Sequence, residues 1–491
     1  MQNAHPASEW DYCSVGKLSA GLRSRKISAS ELLDHTIARI ETLDQRINAL
    51  VVRDFDRAKQ AAKAADALLA RGEWRPLLGI PVTLKEPFNL IGLPTTWGYP
   101  RFKDFMPTED ALVVSRLKEA GAVIIGKTNI PVGLRDFQSY NDIYGTTNNP
   151  WDVGRSPGGS AGGSAASLAA GFETISIGSD IGGSIRVPAH FCGIYGHKPS
   201  LGLVPLRGYN LPPAPSVPSH GDLAVAGPMA RHACDLAVAL DVIAGPDEER
   251  EGNGYRLALP PARHDDLKNF RVLVIDTHPL MPTDNAVRSV IGQLARRLEK
   301  LGANVARTSA LLPELATSAR LYMKLLSAAT SPRASPDAFT QAQRLANSLS
   351  PDDHSLQAER ARGTVMSHRD WLASDAARLH LQQQWRAFFC EWDVVIYPAA
   401  AISAFPHDHS EPIEARYLDI DGKAHHYNDV CYIWADPAST CGLPATAAPI
   451  DRSSTGLPIG VQIIGPYLED RTTIAFGKLL EREFGGFIPP P

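Results

Sequence analysis

The chain has 491 residues, of which 44% are hydrophobic and 21% charged, a globular composition that argues against a disordered or fibrous protein. Its 49 Lys and Arg against 53 Asp and Glu give a net charge of −4 at pH 7, so no basic surface for nucleic acid is expected. No apolar run approaches the roughly 20 residues of a membrane helix, and the first residues lack the pattern of a signal peptide, so we expect a cytoplasmic protein that does not contact a membrane.

Predicted helices and strands alternate along much of the chain. In chain order they are a helix over 28–49, a helix over 57–71, a strand over 79–84, a helix over 110–120, a strand over 122–125, a helix over 165–170, a strand over 174–177, a strand over 270–275, a helix over 284–301 and a strand over 303–306. Ser28 and Glu31 form a capping box at the start of the first helix, and Asp284 caps a later one. The alternation favours an α/β fold in which helices cover a mixed sheet.

Three further regions have a distinct composition. Residues 205–220 form a Pro-rich loop, and residues 311–389 read as mainly helical with a polar break over 349–355. Residues 416–427 read as a hairpin that turns at Asp421-Gly422. No segment has the composition of an interdomain linker, so we predict one domain over residues 1–491.

The spacing of cysteine and histidine indicates neither a disulfide framework nor a metal site. The six cysteines are far apart and form no CxxC pair, and we expect each to be a reduced, buried small hydrophobe: Cys13, Cys192, Cys234, Cys390, Cys431 and Cys441. The string over 407–409 (HDH) lies in a Pro-flanked polar stretch with no third ligand nearby, so we predict a surface loop and no metal.

Residues 154–184 are unusually rich in small residues, with nine Gly and seven Ser among 31 positions. A flexible linker would not need the packed apolar residues that this segment also carries. Phosphate-binding and dinucleotide-binding glycine patterns are absent from it. Residues 158–162 match G-x-S-x-G, but the strand that a nucleophile elbow requires does not precede them.

The whole segment, together with strings elsewhere in the chain, resembles the amidase signature family. The resemblance covers roughly residues 15–485 and rests on GIPVTLKE (79–86), GKTN (126–129), GTTNNPWD (145–152), GGSAGGS (158–164), GSDIGGSIRVPA (178–189), GHKPS (196–200), GPMAR (227–231), GLPA (442–445) and GLPIGVQ (456–462). Two positions depart from the common pattern: Ala161 replaces a second Ser, and Glu86 replaces an Asp. Neither departure removes a group that the chemistry needs.

The resemblance implies a fold and a division of the chain. The expected fold is α/β, with a central mixed β-sheet covered by helices on both faces. We expect an N-terminal helical region over about 1–72, a signature core over about 75–235 and a variable, substrate-covering helical region over about 311–389.

The resemblance also implies a Ser–cis-Ser–Lys catalytic triad. Carried over by position, Ser184 is the nucleophile, Ser160 the bridging serine behind a cis peptide with Gly159, and Lys85 the base. A serine hydroxyl needs an adjacent base to act as a nucleophile. A lysine can supply that base if burial lowers its pKa, and the mostly apolar strand before Lys85 favours such burial.

The same comparison places the groups that stabilise and hold the reacting centre. The oxyanion hole is expected from the backbone N–H groups of Ile181, Gly182, Gly183 and Ser184. Asp180 and Arg186 flank the nucleophile, and we interpret them as a structural ion pair that fixes the loop. Ser156 and Ser164 are candidates for hydrogen bonds that support Ser160, although both also suit loop or helix-cap positions.

The function that follows is hydrolysis of linear amides through an acyl-enzyme, with no cofactor and no metal. Carboxamides, aryl or alkyl amides, esters and carbamates are all compatible substrates, so the expected partner is a small-molecule amide, and a homodimer stays open. Two alternatives remain: the glutaminase subunit of a tRNA-dependent amidotransferase, and a non-catalytic binding protein on the same fold. The nucleophile loop reads SIRVPA (184–189), where that subunit commonly has SIRQPA.

Substrate specificity is expected from the loop 205–220 and the helices of 311–389. Residues 311–330 are rich in Leu and Ala, which favours uncharged, apolar acyl groups. Their apolar side chains belong either to the core or to the pocket: Leu321, Tyr322, Leu325 and Leu326. Arg320 and Lys324 lie one helical turn apart and form either a carboxylate clamp or a solvated basic face.

Overall fold

The computed structural model describes residues 8–218 and 221–491. Its helices are α1 (Val15–Arg23), α2 (Ala29–Ile47), α3 (Phe55–Ala70), α4 (Leu112–Glu119), α5 (Gly162–Ala169), α6 (Arg186–Cys192), α7 (Ala233–Ile243), α8 (Asn285–Lys300), α9 (Leu315–Thr330), α10 (Pro336–Ser348), α11 (Leu356–Thr364), α12 (His368–Glu391), α13 (Tyr427–Tyr432) and α14 (Asp470–Phe484). Residues 1–7 of the predicted N-terminal region and residues 219–220 of the Pro-rich loop lie outside the described part.

The strands are β1 (Leu50–Arg53), β2 (Pro81–Lys85), β3 (Val123–Thr128), β4 (Tyr140–Asn141), β5 (Gly145–Thr146), β6 (Ile175–Asp180), β7 (Tyr195–Lys198), β8 (Val225–Ala230), β9 (Arg271–Val274), β10 (Asn304–Ala306), β11 (Val394–Pro398), β12 (Tyr417–Ile420), β13 (Lys423–His426), β14 (Ala445–Arg452) and β15 (Pro458–Ile464). Eleven of them form one sheet in the order β1-β3-β2-β6-β8-β7-β14-β15-β11-β9-β10. β2 is parallel to β3 and β6, whereas β8 is antiparallel to β6, so the sheet is mixed. The prediction of an α/β fold with a helix-flanked mixed sheet is confirmed.

Local sequence signals account for several element boundaries. The Ser28 hydroxyl accepts the N–H of Glu31, whose carboxylate accepts the N–H of Ser28, so the predicted capping box is confirmed. The side chain of Asp284 caps α8 as predicted. The hairpin of β12 and β13 turns at residues 421–422, also as predicted. The polar break over 349–355 separates α10 from α11.

Two expectations need correction. The predicted strand over 174–177 is β6, which continues to Asp180 and so carries the sheet into the glycine-rich loop. The cysteines are all free, but Cys390 is exposed and Cys234 half-buried, because both lie on helix surfaces and not in the core. The assignment of residues 1–491 to a single domain stays a prediction.

The sheet places two of the candidate residues side by side, at the carboxyl ends of two neighbouring parallel strands. β2 and β6 run parallel, with Leu84 opposite Ile177, so their carboxyl ends lie side by side. Lys85 ends β2 and Asp180 ends β6, and the chain turns after each of them. Binding sites in open α/β sheets commonly form outside such strand ends. Among residues 8–218 and 221–491, none of the helices has an apolar stretch of the length that a lipid bilayer requires.

Candidate functional site

Lys85 is fully buried and hydrogen-bonded to two serines. Its Nζ donates to Ser160 Oγ at 2.7 Å and to Ser179 Oγ at 2.9 Å, with a longer contact of 3.3 Å to the Ser179 carbonyl. The side chain has no solvent exposure. The three oxygens fix the position of the amine at the carboxyl end of β2.

The surroundings of Lys85 favour its neutral form. Burial is the largest influence and lowers the pKa of Lys85 from 10.5 to about 7; Asp180 opposes the shift, and the positive charge of Arg333 adds to it. Taking an ammonium group out of water disfavours its charged state. A lysine with this pKa is present as a free amine in a large fraction of molecules near neutral pH, and a free amine can accept a proton.

The turn before α5 holds Ser160 within hydrogen-bonding distance of Lys85. The peptide between Gly159 and Ser160 is cis, and the side chain of Ser160 is buried. A Cβ on Gly159 would lie 2.2 Å from the Asp136 carbonyl, so only glycine fits there. The Ser139 hydroxyl donates to the Gly158 carbonyl at 3.1 Å and accepts an N–H from the first residue of α5. These contacts determine where the Ser160 hydroxyl points.

The two candidate supporting serines differ in their position relative to this turn. Ser156 donates to the Phe137 carbonyl at 2.9 Å and accepts the Gly158 N–H at 3.0 Å, so it braces the turn. Ser164 instead shares a hydrogen bond of 2.7 Å with Thr128 on β3. Ser156 therefore supports the backbone next to Ser160, while Ser164 fastens α5 to the sheet.

Ser184 lies in the loop between β6 and α6, close to Ser160. Its carbonyl accepts the N–H of Ala161, the residue that follows Ser160, at 3.1 Å. Ser184 is 6% exposed, so the loop is nearly closed off from solvent. Within the described part of the chain, no hydrogen bond engages the Ser184 hydroxyl. The structure thus brings Lys85, Ser160 and the backbone of Ser184 into one cluster.

A buried ion pair fixes the shape of this loop. The guanidinium of Arg186 donates to Asp180 at 2.9 and 3.1 Å, and both side chains are at most 1% exposed. Asp180 also accepts the N–H groups of Gly183 at 2.9 Å and Ile185 at 3.0 Å. Burial alone would raise the pKa of Asp180, but the charge and hydrogen bonds of Arg186 outweigh it and bring that pKa to about 2. The carboxylate therefore stays ionised at any pH of biochemical interest.

Arg186 extends this network to the distant end of the chain. It donates to the Ala435 carbonyl at 3.0 Å, to Gln462 Oε1 at 2.8 Å and to Ser439 Oγ at 2.9 Å. Gln462 belongs to β15, so the loop that carries Ser184 is fastened to a strand four positions away from β6 in the sheet. All hydrogen-bonding capacity of a buried guanidinium must be used to offset its loss of water.

The four residues proposed for an oxyanion hole are not equivalent. The Gly183 N–H is already bonded to Asp180. The N–H groups of Ile181, Gly182 and Ser184 have no acceptor within the described residues, so three donors remain. Gly182 must lack a side chain, because a Cβ would lie 2.6 Å from the ring of Tyr432.

Sequence reasoning missed Ser179 and Tyr209, and it left Tyr322 open between core and pocket; Tyr322 is a core residue that also contacts the loop. Ser179 precedes Asp180 on β6 and bonds both Lys85 and the Tyr209 hydroxyl, the latter at 2.8 Å. Tyr322 on α9 donates from its hydroxyl to the Ile181 carbonyl at 3.1 Å. The family strings contain Ser179 but give it no role, and neither tyrosine lies in a recognisable motif.

Ile181, in the loop that carries Ser184, lines a cavity of about 780 Å³. Leu326 of α9 lines it, together with residues of α10 and α11, so the region 311–389 does border the candidate site. Leu325 instead belongs to the core, and Leu321 packs against that core. Arg320 donates to the His354 carbonyl and Lys324 pairs with Glu359 at 3.1 Å, so neither forms a free carboxylate clamp.

The string at 407–409 is held by local contacts. His407 bonds Asn148 at 3.1 Å, and the ring of His409 stacks on Tyr140 with centroids 3.7 Å apart. Across residues 8–218 and 221–491, no group of three or more His, Cys, Asp or Glu side chains has the arrangement of a metal site.

Comparisons with known proteins agree on one family. Residues 31–474 match the model of the Amidase family. A glutamyl-tRNA(Gln) amidotransferase subunit from Anaeromyxobacter sp. (strain K) is 33% identical over 511 residues, which cover 99% of both chains. Fatty-acid amide hydrolase 2-A of Danio rerio is 31% identical over 515 residues, covering 97% of this chain and 90% of that protein.

Solved structures share the fold. One, described as belonging to a vestigial protein complex that reveals the evolutionary origins of an s-triazine catabolic enzyme, superposes with a TM-score of 0.80. It is 28% identical and covers 97% of this chain and 100% of its own. The match to the family model, the relatives that align over nearly the whole chain and the shared fold all point to one family. This chain belongs to the amidase signature family.

Proposed function

We propose that the protein hydrolyses linear amides through an acyl-enzyme formed on Ser184. The observation that carries the proposal is the fully buried Lys85, whose Nζ lies 2.7 Å from Ser160 Oγ and whose pKa is lowered to about 7. A buried amine that is neutral near pH 7 has the properties of a general base.

The proposed reaction uses only groups of this chain, the amide and water. As Ser184 Oγ bonds to the carbonyl carbon, its proton passes to Ser160 Oγ, and the Ser160 proton passes to Lys85 Nζ. The negative charge on the carbonyl oxygen is met by the free N–H groups of the loop. Collapse breaks the C–N bond, and the leaving amine takes the proton back through Ser160. Water then cleaves the acyl ester by the same route and releases the carboxylic acid.

The test is Ser184→Ala with an aryl amide as substrate. We expect turnover to fall by roughly 10³-fold or more, because the attacking oxygen is lost while the fold is retained. Ser167→Ala is the matched control, since Ser167 lies in the same segment but donates to Glu173. A folded Ser184→Ala protein with near-normal turnover, or an acyl group trapped on another residue in a mass spectrum, would refute the assignment.

One comparison favours a second candidate, the glutaminase subunit of a tRNA-dependent amidotransferase. The relative from Anaeromyxobacter sp. is named for that complex and aligns over 99% of both chains. This candidate predicts release of ammonia from glutamine and a stable complex with further subunits. Size-exclusion chromatography combined with a glutaminase assay separates it from a self-sufficient amide hydrolase.

A further inference from the structure

The cavity at the nucleophile loop has an excess of positive charge. Four arginines line it: Arg101, Arg135, Arg333 and Arg360. Arg360 is neutralised by Asp429 at 2.5 Å. For the other three, no carboxylate lies within 4 Å in the described part of the chain. The acidic residues of the lining offset this only in part, because Glu411 is paired with Arg416 at 3.3 Å and only Glu414 remains.

Arg333 is held near the candidate base by a chain of contacts. Its guanidinium lies over the ring of Trp97, 4.8 Å from the centroid. Trp97 packs on Tyr209 with centroids 5.1 Å apart, and the Tyr209 hydroxyl bonds Ser179, which in turn bonds Lys85. A guanidinium that stacks on an aromatic ring keeps the N–H groups of its edge free for a planar acceptor.

Arg135 stands on another wall of the same cavity. The positive charge of Arg135 acts on the pKa of Tyr432, which lines the same cavity. The ring of Tyr432 packs against Gly182, so Arg135 also lies near the loop that carries Ser184. Its side chain is exposed and makes no hydrogen bond within the described residues. Arg333 and Arg135 line the same cavity as Ile181, and neither has a carboxylate partner within the described residues, so two guanidinium groups in this cavity are available to bind an anion.

We propose that the cavity binds a carboxylate on the substrate, held by Arg333 and Arg135, so that the preferred substrates are amides with an anionic group remote from the scissile bond. The proposal rests on the amide-hydrolase function proposed above and specifies its substrate class. It replaces the expectation of an uncharged acyl group, which was based only on the Leu and Ala content of residues 311–330. That helix supplies the apolar part of the lining through Leu326, while the arginines come from the segments that follow β3 and α9.

The test compares two p-nitroanilides of equal length. One is the mono-anilide of glutaric acid, and the other carries an isopropyl group in place of the carboxylate. Release of p-nitroaniline is measured at about pH 9, well above the pKa of about 7 for Lys85, so that changes in the charge of the base do not enter. The variants are Arg333→Gln, Arg135→Gln and, as matched control, Arg344→Gln, which lies on α10 outside the cavity lining.

We expect the wild type to prefer the anionic anilide in kcat/KM. Each cavity variant should lower kcat/KM for that substrate by about 10- to 100-fold, mainly through KM, because a charge-assisted hydrogen bond is lost. The neutral anilide and the Arg344→Gln control should change little. Equal kcat/KM for the two substrates in the wild type, or equal losses for both substrates in the cavity variants, would overturn the proposal.

A binding measurement keeps this test separate from the catalytic proposal. Calorimetry with Ser184→Ala protein reports affinity without turnover, and we expect tighter binding of the anionic anilide and its loss when Arg333→Gln is added. If Ser184→Ala still hydrolyses both anilides, the proposed catalytic function is wrong. If it hydrolyses neither but binds both equally, only the carboxylate site is wrong.

Discussion

The pH dependence of the rate should follow the protonation of Lys85. At the ordinary lysine pKa of 10.5, about one molecule in 3,000 is neutral at pH 7, whereas at a pKa of about 7 roughly half are. Burial therefore raises the population of the free amine by about 1,500-fold at neutral pH. We expect kcat/KM to rise tenfold per pH unit below pH 7 and to level off above it.

The perturbation that tests this account is Lys85→Met, measured from pH 5 to pH 10 with an aryl amide. Loss of a general base lowers the rate by about 10²- to 10⁴-fold, and the rising limb should disappear with it. A second buried lysine makes the control necessary. Burial is also the main cause that lowers the pKa of Lys198 to about 7, and its Nζ donates to the Pro199 carbonyl.

Lys198→Met should therefore keep the rising limb, although it removes a group that titrates over the same range. The reasoning fails if the limb survives in Lys85→Met or vanishes in Lys198→Met. It also fails if the wild-type profile is flat between pH 5 and pH 8 under conditions where the chemical step limits the rate.

Two further predictions concern the loop that carries Ser184. Gly182→Ala should abolish most activity, since its Cβ would lie 2.6 Å from the Tyr432 ring; Gly254→Ala, whose nearest atom is 3.9 Å away, should have no effect in the same assay. Arg186→Met should lower the free energy of unfolding in urea by about 3–5 kcal/mol, because it leaves a buried carboxylate unpaired. The exposed Arg471 is the control, and equal small losses for both arginines would contradict the role of the buried pair.

Much of the fold could be predicted because its signals are local. The capping box at Ser28 and the cap at Asp284 each involve residues within three positions of one another, so the sequence specifies them directly. Hydrophobic periodicity likewise marks the buried face of α8, where Val287, Ile291 and Leu294 recur at helical spacing. These features depend little on contacts with residues that are distant in sequence.

The site could be predicted only as far as its motifs extend. The strings around Lys85, Ser160 and Ser184 carry the resemblance, and the structure gathers those segments at one sheet edge. Ser179 was missed because its contact with Lys85 depends on β6 continuing past residue 177. Tyr209 comes from a Pro-rich loop about 30 residues away in sequence. Such contacts between distant segments leave no periodic or motif signal.

Asp180 connects the geometry of the loop to the chemistry of the base. The same carboxylate holds the Gly183 and Ile185 N–H groups, pairs with Arg186 and raises the pKa of Lys85 against the larger effect of burial. Since its own pKa is about 2, below the unfolded value of 3.8, its stabilising effect is present above that value and is lost only as the pH falls through about 2. The loop therefore keeps its hydrogen bonds throughout the range in which Lys85 exchanges its proton. In the proposed mechanism, a change in rate over that range therefore reflects Lys85 or Lys198, which titrates over the same range, and the Lys198→Met variant separates the two.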